Sequence, residues 1–375
     1  MLDTTFFRAC EAAAGRWDVQ ALALGSSTPH DSTTFGFGCP PDTRFPVASV
    51  TKPITAALAL RLLGLDASTV VWPDEVRVRH LLAHTTGFVS ELAELERFGD
   101  GDGALAAAVR ELPSLERPFG VDELWSYANS GYWLAGWLAA QAAGVSFEDA
   151  VTRQVFEPAG MAASGFDAEE YPRARRPSGG AVSNVPDLLA FGRWLLAQQF
   201  FEAMRTVRGK PVAGVYGLGL FGRRHTGIEV WGHPGSYRTA KGSLLVVPAR
   251  AAVFAALANG PRGDRALREL EELWLERLLG GRPSRPEHVE LPAARLAAFA
   301  GRYVNQQTDA RVTVDETQLL VDFVELVSGE RTMQEARAIG PVTFEVVGGE
   351  FDGDRFDFPR EGFARFGSRL CRRVE

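Results

Sequence analysis

Residues 45–63 read FPVASVTKPITAALALRLL, and this segment is the most informative part of the sequence. From Thr51 onward its apolar residues recur at helical spacing, which predicts a helix. Pro53 has no backbone N–H and is tolerated only in a first turn, so the helix should begin close to Ser49. At a spacing of three residues, Ser49 and Lys52 share one face of that helix and can meet.

The pair of Ser49 and Lys52 has the chemistry of an activated serine. A serine hydroxyl is a poor nucleophile until a base takes its proton, and lysine can be that base if burial and the positive helix end lower its pKa. The chain has only three lysines against 37 arginines, and only Lys52 follows a serine by three residues. The alternative is that Ser49 merely caps a helix and that Lys52 is solvated.

Length and composition limit the class of protein. A chain of 375 residues can form one large and one smaller domain. A net charge of −7 argues against nucleic acid or an anionic membrane as a partner. The start of the chain lacks the basic and apolar regions of a signal peptide. Three widely spaced cysteines predict reduced thiols, and together these features predict a cytoplasmic protein. The six histidines show no metal-ligand spacing, so we expect no metal and no cofactor.

The first 279 residues are predicted to form one α/β (α+β) domain. Strand patterns occur near both ends of this region and flank a largely helical middle, residues 76–194, which predicts an antiparallel sheet flanked by helices plus a mostly helical subdomain. Residues 280–292 are rich in proline and glycine and are interpreted as a linker. Residues 293–375 alternate at period two between turn residues, which predicts a small antiparallel β domain, a partial barrel. The predicted elements are helices at 3–17, 121–143, 147–156, 187–196 and 264–279, and strands at 19–24, within 31–42, and at 215–220, 229–232, 243–247 and 252–257.

Two further motifs follow the serine–lysine pair in the chain. The first is WSYANSGYWLAGWL, in which Tyr127 and Asn129 precede an apolar helix, and the second is WGHPGSYR, in which His233, Gly235 and Ser236 stand at a strand end. Each residue also has a structural interpretation. Tyr127 could be a buried core phenol, Asn129 a helix cap, and His233 a hydrogen-bonded strand-end histidine. His84 is expected to hold a loop by hydrogen bonding. Trp125 is expected to line the substrate pocket.

With these three motifs in this order, the chain resembles the serine β-lactamase and penicillin-binding-protein superfamily, and most of all the branch related to class C β-lactamases, which includes esterases and D-aminopeptidase-like hydrolases. The resemblance covers roughly residues 18–279, including VRVRHLLAHTTGF at 76–88 and SGGAVSNVPDLLAFGRWLL at 178–196. It implies an acyl-enzyme on Ser49, with Lys52 and Tyr127 sharing the proton transfers. Asn129 would orient the substrate, and the backbone N–H groups of Ser49 and Ser236 would form the oxyanion hole. A Lys52 ammonium beside Tyr127 would stabilise its phenolate form and so lower the pKa of Tyr127.

His233 departs from the pattern of β-lactamases and transpeptidases, which usually have lysine there to meet the substrate carboxylate. A histidine is largely neutral at pH 7, which favours small esters, amides or D-aminoacyl peptides, although Arg238 could restore a charge nearby. Two alternatives stay open: a β-lactamase or D,D-peptidase, and a catalytically silent binding or regulatory protein on the same scaffold. The tail from about Pro292 resembles the small barrel of some D-aminopeptidase-like members, which implies either a role at the active-site mouth or an oligomer contact.

Overall fold

The computed structural model describes residues 2–69, 75–89, 91–167 and 171–374. Its centre is an antiparallel sheet of seven strands, namely β1 (Leu22–Ser27), β2 (Ser32–Phe37), β5 (Val215–Tyr216), β6 (Phe221–His225), β7 (Ile228–Tyr237), β8 (Ala240–Val247) and β9 (Ala252–Asn259). They lie in the order β2-β1-β9-β8-β7-β6-β5. The N-terminal strand β1 pairs along its length with β9, so both ends of the first 279 residues contribute to one sheet, as predicted. Two short strands, β3 (Phe45–Pro46) and β4 (Val182–Ser183), pair with each other.

Helices cover both faces of this sheet because its central strands are apolar on both sides. All six residues of β1 are buried, as are all but one of β8 and of β9, a pattern typical of strands covered on two faces. One face packs against α1 and α11, whose Phe6 and Trp274 are fully buried. The other face packs against the helical subdomain. The helices are α1 (Thr4–Arg16), α2 (Thr51–Leu62), α3 (Val78–Ala83), α4 (Ala104–Glu111), α5 (Asn129–Ala143), α6 (Phe147–Val151), α7 (Glu157–Ala159), α8 (Arg176–Gly179), α9 (Val185–Leu196), α10 (Phe201–Arg205), α11 (Gly263–Leu279) and α12 (Ala293–Ala297).

Two predicted helix starts were wrong. The helix predicted over 121–143 begins only at Asn129. Before it, the backbone N–H groups of Ser126 and Tyr127 donate to the carbonyl oxygens of His84 and Ser368, at 3.1 and 2.9 Å, so distant partners replace the local helical bonds. The helix predicted to open at Asp187 begins earlier, at Val185, since the Asn184 side chain caps it by accepting from the Asp187 N–H.

The tail folds into a closed barrel of eight antiparallel strands, whereas the sequence predicted a partial one. Closure follows from pairing of the first strand, β10, with the last, β17, which leaves no exposed strand edge. A second Tyr-x-Asn sequence at 303–305 lies in this unit, and the Tyr303 hydroxyl donates to the Phe299 carbonyl inside the barrel core. The strands are β10 (Gly301–Val304), β11 (Thr308–Asp315), β12 (Gln318–Glu325), β13 (Arg331–Ala338), β14 (Thr343–Val346), β15 (Arg355–Arg360), β16 (Phe363–Phe366) and β17 (Arg369–Arg373).

The hairpin of β16 and β17 packs against the segment that contains Tyr127. The Tyr127 N–H donates to the carbonyl of Ser368 at the tip of this hairpin, at 2.9 Å. The Leu370 N–H donates to Ser126 Oγ at 3.3 Å, and the buried Arg365 donates to the Trp125 carbonyl at 2.9 Å. The barrel therefore borders the region where the sequence motifs meet.

Three further observations describe the protein as a whole. Among the helices of the described residues, none combines the length and apolar character needed to cross a bilayer. Cys10, Cys39 and Cys371 are free thiols. Outside the gaps at 70–74, 90 and 168–170 and the two terminal residues, no group of three or more His, Cys, Asp and Glu residues is arranged to hold a metal ion.

Candidate functional site

Ser49 lies in a single 3-10 turn, Ala48–Val50, that leads directly into α2. Ala48 has a φ of 48°, a left-handed conformation that is strained for a residue with a Cβ atom. The Thr51 hydroxyl stabilises the turn by donating to the Ala48 carbonyl at 2.7 Å and accepting from the Ala181 N–H at 3.0 Å. Strain of this kind occurs at functional sites when the surroundings fix it.

Lys52 is fully buried, so the interpretation of it as a solvated lysine is wrong. Its Nζ lies 3.2 Å from Ser49 Oγ, and it donates to Asn129 Oδ1 and to the Ser178 carbonyl, both at 2.7 Å. Burial lowers the pKa of Lys52 well below its ordinary value, which is the condition for lysine to act as the base. A neutral amine can donate two N–H groups to the two carbonyl oxygens and keep its lone pair for the Ser49 hydroxyl.

Tyr127 is buried beside this pair, with Lys52 Nζ 4.7 Å from its ring centroid. Burial raises the pKa of Tyr127 above its ordinary value, and a hydrogen bond to Ser49 offsets this only in part. The predicted depression of the Tyr127 pKa is therefore wrong, because a phenolate loses its hydration here and the amine beside it is itself driven toward the neutral form. Tyr127 is therefore a neutral phenol in the site.

Asn129 is oriented by a carboxylate that sequence reasoning missed. The Asn129 backbone N–H and side-chain Nδ2 donate to the two oxygens of Glu91, at 2.8 and 2.9 Å. This double contact points Oδ1 of Asn129 at Lys52. The helix cap proper is Ala128, so Asn129 is the first residue of α5 rather than its cap.

Glu91 is in turn held by two residues of the barrel. Arg369 on β17 donates to Glu91 Oε1 at 3.1 Å, and Gln306 exchanges hydrogen bonds with the Glu91 backbone at 2.6 and 2.9 Å. Burial alone raises the pKa of Glu91, but the charges of Arg369 and Arg175, together with the two hydrogen bonds from Asn129, outweigh it, and the pKa falls to about 2. No local pattern distinguishes Glu91 from its neighbours Glu94 and Glu96, and its partner Arg369 follows it by 278 residues.

Strand β7 brings Gly235 against the backbone of the serine turn. Strand β6 pairs with residues 228–232 of β7, so the segment from His233 to Tyr237 extends beyond β6. A Cβ atom on Gly235 would lie 2.2 Å from the Val47 carbonyl oxygen and 3.2 Å from Ser49 N. Only glycine permits this approach. The Ser236 hydroxyl, on the opposite face of the strand, accepts from Lys241 at 2.7 Å.

His233 is a buried, neutral imidazole. Its Nδ1–H donates to the Pro234 carbonyl at 2.6 Å, which leaves Nε2 as the acceptor. Burial, together with the neighbouring Lys52, lowers the pKa of His233 to about 3, which confirms the expectation of a neutral side chain. Within the part of the chain that the structure describes, Nε2 has no hydrogen-bond partner, so only one of the two ring nitrogens is satisfied.

The remaining predicted residues frame the site. His84 Nδ1 accepts from the Ala128 N–H at 3.1 Å, which confirms that this histidine holds a loop. Trp125 is buried in an aromatic cluster with Tyr127 and Tyr216. Arg238 points toward the ring of its neighbour Tyr237, with its guanidinium carbon 5.5 Å from the ring centroid.

The chain is similar to several known proteins. The family described as Beta-lactamase matches residues 11–278, more than half of the chain. Esterase EstB of Burkholderia gladioli is 34% identical over 36% of this chain and 42% of the esterase, so the chain spans less than half the length of that relative. Penicillin-binding protein 4 of Amycolatopsis lactamdurans is 25% identical over 75% of this chain and 89% of its own. The crystal structure of SurE with D-Leu superposes with a TM-score of 0.78, at 23% identity and over 99% of both chains, which shows a shared fold.

The family match spans the serine–lysine pair, the segment of Tyr127 and Asn129, and the strand of His233. The chain therefore belongs to the β-lactamase family.

Proposed function

We propose that this protein is a serine hydrolase that forms an acyl-enzyme on Ser49. The observation on which this depends most is the buried Lys52 amine, 3.2 Å from Ser49 Oγ with its other bonds made to Asn129 and Ser178. A base with a lowered pKa in contact with a hydroxyl is the arrangement that activates a serine nucleophile.

Acylation then proceeds in two proton transfers. The Ser49 hydroxyl gives its proton to the Lys52 amine while Oγ attacks the substrate carbonyl carbon. The proton passes to the leaving group through the Tyr127 phenol, which is hydrogen-bonded to Ser49. When the tetrahedral intermediate collapses, the bond to the leaving group breaks and Ser49 keeps the acyl group. In the second half of the reaction the same groups take a proton from a water, which attacks the acyl carbon. The bond from that carbon to Ser49 Oγ then breaks, Oγ takes the proton back, and the acid is released.

The oxyanion of the intermediate would be bound by the backbone N–H groups of Ser49 and Ser236. The close approach of Gly235 to Ser49 N supports this assignment because it places the next residue of β7 beside the serine turn. Two fixed N–H donors stabilise the developing charge without reorganising.

Small esters, or amides and D-aminoacyl peptides, are the proposed substrates. The neutral His233 supports this choice, since it supplies no cation where β-lactamases usually have lysine. A β-lactamase or D,D-peptidase activity is the second candidate, supported by the relative named penicillin-binding protein 4. The three free thiols fit a reducing compartment, so we propose a cytoplasmic location. A panel of p-nitrophenyl esters, D-aminoacyl anilides and nitrocefin separates these substrate classes by their kcat/KM values.

Labelling with a fluorophosphonate tests the nucleophile directly. We expect the wild-type protein to be modified at Ser49, as read by mass spectrometry of the peptide that contains it. The Ser49→Ala variant is the control and should stay unlabelled. Equal labelling of wild type and Ser49→Ala would contradict the proposal. So would a wild-type protein that neither fluorophosphonate nor fluorescent penicillin modifies, and either result would favour a silent binding protein.

Replacing Gly235 by alanine tests the contact between β7 and the serine turn. The added Cβ would lie 2.2 Å from a backbone oxygen, so the strand must move away from Ser49, and we expect fluorophosphonate labelling to slow by about 10²-fold or more, the usual cost of losing an oxyanion donor. Gly242, its register partner on β8, is the matched control, because a Cβ there meets no atom closer than 3.3 Å. Similar rates in Gly235→Ala and wild type would refute the assignment.

A further inference from the structure

Three arginines close together in the chain differ in how their charges are paired. Arg173 forms ion pairs with Asp102 and Glu148, at 2.7 and 3.1 Å, and Arg176 pairs with Glu148 at 2.5 Å. Arg175 lies between them in sequence, yet the described residues place no carboxylate within ion-pair distance of its guanidinium. Its Nε–H is buried without a hydrogen-bond partner in the same set of residues.

Arg175 lies in an aromatic setting at the edge of the site. Its guanidinium carbon is 5.8 Å from the ring centroids of both Tyr171 and Tyr237, and these two rings contact each other edge to face at 4.8 Å. The Tyr171 hydroxyl reaches the serine turn, since a Cβ on Gly179 would lie 2.3 Å from it and 3.6 Å from Ala48. Tyr237 follows Ser236 directly on β7. The three side chains therefore form one wall beside Ser49.

The charge of Arg175 affects the pKa of two other groups of the site. It contributes to the lowered pKa of Lys52 and to the lowered pKa of Glu91. The carboxylate of Glu91 attracts the charge of Arg175 without forming an ion pair with it, and its two oxygens accept hydrogen bonds from Asn129 and Arg369. Because burial favours the neutral forms of Lys52 and His233, three charges remain. These are the guanidinium groups of Arg175 and Arg369 and the carboxylate of Glu91.

Arg175 is partly exposed, but its Nε is buried without a hydrogen-bond partner among the described residues. An unsatisfied buried donor is unfavourable, and arginine cannot relieve it by losing a proton. Its planar set of N–H donors matches a carboxylate, which it can bind through two parallel hydrogen bonds. With Nε enclosed, the two Nη groups carry the remaining donors. We propose that Arg175, walled by Tyr171 and Tyr237, binds a carboxylate of the substrate, separate from the carbonyl that Ser49 attacks. This inference rests on the proposed hydrolase function and narrows its substrates to acidic esters and amides.

Two pairs of esters test this subsite and show which part of the substrate bears the carboxylate. The first pair, mono-p-nitrophenyl glutarate and p-nitrophenyl valerate, differs by a carboxylate in the acyl group. The second pair, 4-acetoxybenzoate and methyl 4-acetoxybenzoate, differs by a carboxylate in the leaving group. For at least one pair we expect wild type to prefer the charged ester, and we expect Arg175→Gln to reduce the ratio of kcat/KM values by about tenfold or more, the loss expected for a charge-assisted hydrogen bond.

Arg176→Gln is the matched control, because it removes a neighbouring cation that is already paired with Glu148, and its ratios should equal those of wild type. Ratios are compared rather than rates, since loss of the Arg175 charge also changes the pKa of Lys52. Unchanged ratios for both pairs in Arg175→Gln, or equal losses in Arg176→Gln, would overturn the subsite.

A binding measurement separates the subsite from the proposed hydrolase function. In Ser49→Ala protein, which cannot turn over substrate, monomethyl glutarate should bind at least tenfold more tightly than dimethyl glutarate by calorimetry. The added change Arg175→Gln should abolish this preference. If no ester is hydrolysed but the preference is present, the hydrolase proposal fails and the carboxylate site stands. If esters are hydrolysed but Arg175→Gln changes neither the kcat/KM ratios nor the binding preference, only the proposed carboxylate subsite is refuted.

Discussion

Replacing Lys52 by methionine is expected to slow fluorophosphonate labelling of Ser49 by about 10²- to 10⁴-fold, the usual contribution of a general base. Methionine keeps most of the buried length of the lysine side chain but has no group that accepts the serine proton. The change also leaves Asn129 Oδ1 and the Ser178 carbonyl without their shared donor. We therefore expect a folded protein with altered stability, to be verified by thermal unfolding beside the rate measurement.

The pH dependence of kcat/KM identifies the base in the wild-type protein. Lys52 works only as the neutral amine, so activity should fall as the pH is lowered through its pKa, which burial places well below the ordinary lysine value. His233, with a pKa of about 3, adds no step near neutral pH, and the raised pKa of Tyr127 removes an alkaline step from its ordinary range. A single acid limb should result.

Lys210→Met is the control for this prediction, because it removes an exposed lysine that lies outside the three motifs of the site. It should label at the wild-type rate and keep the acid limb. Wild-type labelling by a folded Lys52→Met protein would show that Ser49 is activated in another way.

Replacing Glu91 by glutamine is expected to lower kcat/KM by about tenfold to a hundredfold, the cost of losing a charge-assisted hydrogen bond near the reacting groups. The two oxygens of Glu91 face donors only, namely the backbone N–H and Nδ2 of Asn129 and the guanidinium of Arg369. A glutamine must turn an NH₂ group toward one of these donors. The Asn129 side chain then loses the restraint that aims its Oδ1 at Lys52.

The direction of the pH shift distinguishes this effect from simple damage. The Glu91 carboxylate favours the ammonium form of Lys52 and so raises its pKa, and its removal should move the acid limb to lower pH. Arg369 acts in the opposite sense, so Arg369→Met should move the limb to higher pH. Glu94→Gln, an exposed neighbour, should leave the limb in place. Shifts of the same sign in the Glu91 and Arg369 variants would refute the electrostatic link between the barrel and the base.

Local pattern was a sufficient guide to much of the fold. Helical spacing after Ser49, with Pro53 in the first turn, predicted the start of α2 and the contact between Ser49 and Lys52. Strand patterns at both ends of the first 279 residues predicted the antiparallel sheet. These features depend on residues a few positions apart, where periodicity and backbone chemistry dominate. The division into a domain to 279, a linker and a tail stays a prediction, as do the roles of the site residues.

Long-range packing explains the predictions that were wrong. Residues before Asn129 look helical, but their N–H groups bond to His84 and to the tip of the barrel hairpin. Tyr127 was expected to have a depressed pKa because a lysine lies nearby, yet burial acts on both groups and raises the pKa of the phenol instead. Neither effect can be read from composition, because burial depends on which distant segments cover a residue.

Local patterns were enough to identify the serine–lysine pair, its two companion motifs and the antiparallel sheet. The surroundings of the pair, in contrast, became visible only in the folded molecule. The fold placed Glu91 on Asn129, brought Arg369 from the end of the chain to Glu91, and left Arg175 Nε, among the described residues, without a hydrogen-bond partner. The physical reason is that reactive side chains follow local spacing, whereas their charge states depend on desolvation and on partners hundreds of residues away.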